Sequence, residues 1–206
     1  MTFAASVFAA LSIATSATAS SEPPPPPALQ ALVVSSDYQA NIARLFSQLP
    51  APVFQRCPSL ISKGSTVTMI EPVSFAPDGY PTSGIWEQSF PVSGCGNDTT
   101  INFFFRAQSD EKITSIVGVP GETHADVILQ SDAVGMMATA VKAAAPNCEQ
   151  ITVQDSKYLG PVGKSHNAWQ ESWLLAVCAR PTHITLTFTP DDTGTKILVS
   201  PVKQMP

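Results

Sequence analysis

A tryptophan and a cysteine nine residues apart occur twice in this chain, Trp86 with Cys95 and Trp169 with Cys178, displaced by 83 positions. With only three Trp and four Cys in 206 residues, this recurrence constrains the fold more than any other feature. It points to an internal repeat. Setting Trp86–Arg106 on Trp169–Thr189 also places Ser89 on Ser172, Thr99 on Thr182, Ile101 on Ile184 and Phe105 on Phe188, six identities in 21 positions. Upstream, Ser36-Asp37 matches Ser131-Asp132 at an offset of 95, and Cys57 matches Cys148 at 91. The second copy is thus shorter by four residues before its first cysteine and by eight more before its tryptophan, where loops tolerate length change.

Each copy predicts a helix followed by strands. Asp37 is expected to cap a helix that presents Tyr38, Ile42, Leu45, Phe46 and Leu49 on one face and stops at Pro50. Asp132 is expected to cap its counterpart, with Val134, Met137 and Val141 inward and Pro146 as the stop. Strand patterns follow over 65–75, 85–93, 99–106 and 112–117, and again over 151–155, 168–177, 182–189 and 196–199, broken by Gly, Pro, Asn and Asp clusters. Alternation sets Ile101, Phe103 and Phe105 against Asn102, Phe104 and Arg106, and Ile184, Leu186 and Phe188 against Thr185, Thr187 and Thr189. The expected fold is α+β, two tandem repeats, each a helix packed on an antiparallel β-meander and stapled by a disulfide.

The N-terminus sets the compartment. Residues 1–21 carry no charge, contain an apolar run, and offer the small-x-small site Ala17-Thr18-Ala19. The division expected is a signal peptide over 1–19, a Pro-rich spacer over 20–30, a first α+β repeat over 31–120 and a second over 121–206. Five prolines, Pro23 to Pro27, make the spacer stiff and extended. No stretch is long enough for a transmembrane segment in the mature chain. A periplasmic or secreted location follows.

Export makes two disulfides the natural use of four cysteines. A bridge inherited from one ancestral unit joins Cys57 to Cys95 and Cys148 to Cys178. No C-x-x-C pair is present, which disfavours thioredoxin-like chemistry and zinc ribbons. The formal net charge of −5, from 11 basic and 16 acidic residues, argues against nucleic acid as a partner.

No catalytic, cofactor-binding or metal-binding residues are assigned. His124, His166 and His183 form no metal-ligand spacing, and nucleophile-elbow, phosphate-loop and dinucleotide patterns are missing. The three histidines are read as surface or loop residues, His183 facing outward. Asp191-Asp192 is read as a hairpin turn and not a calcium loop. Gln88 and Glu171 are equivalent positions two residues after each tryptophan, hence on its strand face. A carboxylate on an apolar face needs hydrogen bonds or a raised pKa. Glu171 is expected instead in solvent, where the strand twists out past the helix edge.

The expected function is an exported, non-enzymatic interaction or cell-envelope protein, binding an unknown protein or envelope partner through two duplicated lobes. The alternative is a small secreted hydrolase with its site in the cleft between the lobes.

Overall fold

The computed structural model describes residues 24–49, 61–94, 97–109, 112–163 and 167–202. The proposed signal peptide, Cys57, Cys95 and His166 lie outside them. Among the described residues are three helices and two antiparallel sheets, an α+β arrangement. Helices α1 (Pro27–Val33) and α2 (Ser36–Ser47) lead into strands β1 (Ile61–Ser62), β2 (Thr66–Phe75), β3 (Pro81–Gly94), β4 (Asn97–Gln108) and β5 (Lys112–Val117). Helix α3 (Val127–Ala144) then precedes β6 (Ile151–Pro161), β7 (Trp169–Val177), β8 (Arg180–Asp191) and β9 (Gly194–Val199). In the first sheet β1 and β2 both pair with β3, which continues to β4 and β5; the second runs β6-β7-β8-β9.

Three local expectations are corrected. Residues 27–30 do not belong to an extended spacer, because Pro27 opens α1, where its missing N–H costs no helical hydrogen bond. The cap of α2 is Ser35 and not Asp37: Ser35 is extended and its hydroxyl accepts from Tyr38 N, leaving Asp37 in the first turn. The cap of α3 is Asp126 and not Asp132. Asp126 Oδ1 accepts from Ile128 N and Leu129 N, both at 2.9 Å, so the apolar triplet Val127–Leu129 starts the helix and Asp132 sits exposed within it.

Each sheet has a core on one face. Tyr38, Ile42 and Leu45 of α2 and Leu29 of α1 bury against Trp86, Phe90, Ile101, Phe103 and Phe105. Ala133, Met137 and Val141 of α3 bury against Trp173, Leu175, Ile184, Leu186 and Phe188. Strand alternation produces these faces, since every second residue of β4 and β8 points to the helix. The central hairpins also share a register. Trp86 lies opposite Phe105, Gln88 opposite Phe103 and Phe90 opposite Ile101; Trp169 lies opposite Phe188, Glu171 opposite Leu186 and Trp173 opposite Ile184. Both leading pairs stack nearly parallel, Trp86 on Phe105 at 5.5 Å and Trp169 on Phe188 at 4.9 Å.

Cys148, just past α3, is bridged to Cys178 in the β7–β8 turn, tying the end of the helix to the sheet. Asp191 and Asp192 form the β8–β9 turn, where Asp191 Oδ1 accepts from Thr193 N at 2.8 Å. His183 is exposed on β8. Among the described residues no helix is long and apolar enough to cross a membrane.

Candidate functional site

The residues between β5 and α3 form a seam between the sheets. Past Val117 the chain keeps running along β4, with Gly118 N donating to Asn102 O at 2.8 Å and Gly121 N to Thr100 O at 2.7 Å. It then crosses to β6, where Glu122 N donates to Ser156 O at 2.8 Å and the Ser156 hydroxyl donates to Pro120 O at 2.7 Å. The Asn102 amide donates to Val119 O and Gly121 O, both at 3.0 Å. Gln130 of α3 accepts from Val119 N and donates to Ala125 O. Directly between the sheets, the Thr99 hydroxyl donates to Asp155 Oδ1 at 2.7 Å. Burial raises the Asp155 carboxyl above its usual value, and this hydrogen bond works against the rise.

Gly121 is required where it stands. Its φ is +97°, and a Cβ there would collide with the backbone N and O of Ser156 and lie 2.6 Å from Asp155 Oδ1.

Glu171 lies beneath this segment with no solvent exposure. The expectation of a solvated carboxylate is therefore wrong: the linker folds back over the strand and covers it. Oε1 accepts from Trp169 Nε1 at 2.9 Å, the Thr123 hydroxyl at 3.0 Å and His124 N at 2.9 Å, and Oε2 accepts from Trp173 Nε1 at 2.9 Å. Such a set of donors replaces the hydration that a buried carboxylate loses. Gln88 is equally sequestered, 2% exposed, but among the described residues it donates to the Ser65 hydroxyl and its Oε1 finds no partner. The difference has a distant and a local part: the linker brings the Thr123 hydroxyl and His124 N to Glu171, and Trp86, the counterpart of Trp169, gives its indole N–H to Tyr38. Trp173 supplies an indole N–H beside Glu171, whereas the residue beside Gln88 is Phe90, which has no donor to give.

Where the linker passes the outer face of the first sheet, a cavity of about 570 Å³ opens. Its floor is that outer face, with Glu87, Ser89, Thr100, Asn102 and Phe104; its wall is the linker from Gly121 to Asp126 with Tyr158 of β6. The His124 ring, exposed at the rim, stacks on Tyr158 with centroids 3.8 Å apart. The Ser89 hydroxyl donates to Glu87 Oε1 at 3.1 Å. Burial pushes the Glu87 carboxyl up, and the Ser89 bond only partly offsets this. None of Glu87, Ser89, Tyr158, Glu122 or Asp126 was legible as a site residue. The alternation that places Glu87 and Ser89 opposite Trp86 and Phe90 was readable, but the covering linker was not.

The described residues contain no group of three His, Cys, Asp or Glu side chains placed to hold a metal ion. Comparisons with protein-family models, curated proteins and solved structures find no match to this chain.

Proposed function

We propose that this is an exported, disulfide-stapled binding protein of the periplasm or extracellular space, built from two copies of one helix-plus-sheet unit. It holds an envelope or secreted partner in the cleft between the copies and does not transform it. One observation carries the reading: the buried polar groups around the cleft are committed to architecture. Glu171 is saturated by four donors, Asn102 and Gln130 clamp the linker backbone, and Ser156 holds Pro120 O. Catalysis needs groups free to exchange protons or to meet developing charge. What remains at the cleft is surface for recognition. Common ancestry of the halves is supported by the shared register of the Trp–Phe pairs and by Cys148–Cys178 closing within the second unit. Export is supported by Ala17-Thr18-Ala19 and by the same disulfide.

The Ser89–Glu87 hydrogen bond favours a second reading, a small hydrolase using Ser89. One set of experiments separates them. In the native host, N-terminal sequencing of the mature protein is expected to begin at Ser20 outside the cytoplasm. A photo-crosslinking residue at Glu122 is expected to trap a partner that the same residue at Asp192 does not. Intact Met1 in the cytoplasm, or equal trapping at both positions, overturns the proposal. Covalent labelling of Ser89 by a fluorophosphonate probe transfers support to the hydrolase.

A further inference from the structure

The chemistry of the cleft narrows what fits it. Three carboxylates, Glu87, Glu122 and Asp126, line the cavity, and among the described residues no Lys or Arg does. Glu122 and Asp126 lie at the solvent rim, while Glu87 sits deeper, with the Ser89 hydroxyl as its partner. The lining is also aromatic: Phe104 lies beside Glu87 on the floor, Tyr158 on the wall, and His124 at the rim stacked on Tyr158. A carboxylate withdrawn from water without a counter-charge is costly, and a cation delivered to it offsets that cost. Aromatic faces add attraction for a cation with an alkyl stem. Depth matters too. A carboxylate at the bottom of a cavity whose mouth is also acidic selects a group that reaches inward on a flexible apolar chain, as lysine does.

On the reading that this cleft binds a protein, we propose that the partner inserts a lysine side chain, its ammonium meeting Glu87 and its stem passing between Phe104 and Tyr158. Flanking basic residues of the partner meet Glu122 and Asp126 at the rim. The outer face of the first sheet is thereby the recognition surface, and the acidic excess of the chain is put to use at one place.

The test uses the full mature protein and four probes: blocked peptides Ala-Lys-Lys-Lys-Ala, Ala-Gln-Gln-Gln-Ala and Ala-Glu-Glu-Glu-Ala, and cadaverine as a free amine. Backbone NMR titration is expected to show saturable shifts at Ser89, Asn102 and Thr123 with the lysine peptide. The glutamine and glutamate peptides should give none. Glu87→Gln and Glu122→Gln, each leaving the spectrum folded, should weaken the lysine peptide together at least about tenfold. Asp191→Asn with Asp192→Asn, the same loss of charge on the far turn, should leave it unchanged. Equal binding of the glutamine peptide, or equal weakening by the far-turn pair, overturns the proposal as non-specific. Cadaverine binding as tightly as the peptide overturns the protein source and leaves a free-amine site. Trapping at Glu122 in the host without any effect of Glu87→Gln sinks the lysine inference and leaves the binding function standing; the converse sinks the protein-partner reading.

Discussion

Glu171 Oε2 accepts a 2.9 Å hydrogen bond from Trp173 Nε1, two residues along the same strand, with neither side chain exposed to solvent. The carboxylate thereby joins the second core to the linker that covers it, because its other oxygen holds Thr123 and His124 N. Removing it strands several buried donors at once, each worth roughly 1–3 kcal/mol when left unpaired. Glu171→Ala is expected to lower the unfolding free energy by about 3 kcal/mol or more, measured by urea titration on Trp fluorescence. Glu171→Gln is expected to cost less than Glu171→Ala but still to destabilise, since an amide NH₂ replaces one acceptor facing N–H groups. A neutral result for both would mean that the linker does not depend on this anchor.

In the first core, Trp86 Nε1 donates to the Tyr38 hydroxyl at 3.0 Å, tying α2 to β3. Burial raises the Tyr38 phenol well above its ordinary pKa, so it stays a neutral acceptor at any physiological pH. Tyr38→Phe keeps the ring against Phe105 and deletes only the acceptor. Thermal or urea unfolding should show a loss of about 1–3 kcal/mol.

Glu87 gives a pH-dependent prediction. Its carboxyl is raised in the folded protein, first by burial, so the folded state holds the proton more tightly than the unfolded chain. The associated stability is fully present below the ordinary glutamate pKa and is lost as pH rises through the raised value. Glu87→Gln should therefore be more stable than the parent at neutral pH, with the advantage shrinking toward zero on acidification. Urea midpoints of the two proteins across the acidic to neutral range provide the check, and a constant difference at every pH would contradict it. Asp155 is raised in the same direction and titrates in both proteins, so it cancels in the comparison.

Gly121→Ala should open the seam between the sheets. The left-handed φ of +97° costs about 1–2 kcal/mol for a residue with a Cβ. The collision with Ser156 backbone, which cannot yield as a side chain can, adds roughly another 1–3 kcal/mol. Faster amide exchange at Glu122, whose N–H bonds to Ser156 O, is the specific readout. Unchanged protection there would show that the seam is not held by this approach.

The β7–β8 turn places Cys178 at φ 47° and Ala179 at φ 64°, between the paired residues Val177 and Arg180. Two-residue hairpins favour this left-handed turn, but they favour glycine or asparagine within it. Ala179→Gly is expected to stabilise the protein by about 1 kcal/mol. Cys178→Ser, which removes a bridge spanning 30 residues, should destabilise it by roughly 3–4 kcal/mol in oxidising buffer. Full reduction of the parent should bring it down to the level of that variant if this bridge dominates the staple.

The period-2 patterns of residues 99–106 and 182–189 were enough to assign the core faces of β4 and β8, because strand geometry turns sequence parity directly into sidedness. The Trp and Cys spacing was enough to expect the Cys148–Cys178 bridge, because a staple within one unit needs only that unit's own strands. The expected helix starts lie two residues late at α2 and six residues late at α3, where Ser35 and Asp126 competed with equally plausible caps at Asp37 and Asp132. The fate of Glu171 and the existence of the cleft were decided by tertiary structure alone. Both depend on where residues 118–126 run, and that path is set by Asn102, Ser156 and Gln130, which are far apart in the chain and meet the linker only after both sheets have formed. Local sequence carries the information for which side of a strand is apolar; it carries none about which distant loop will come to rest against either side.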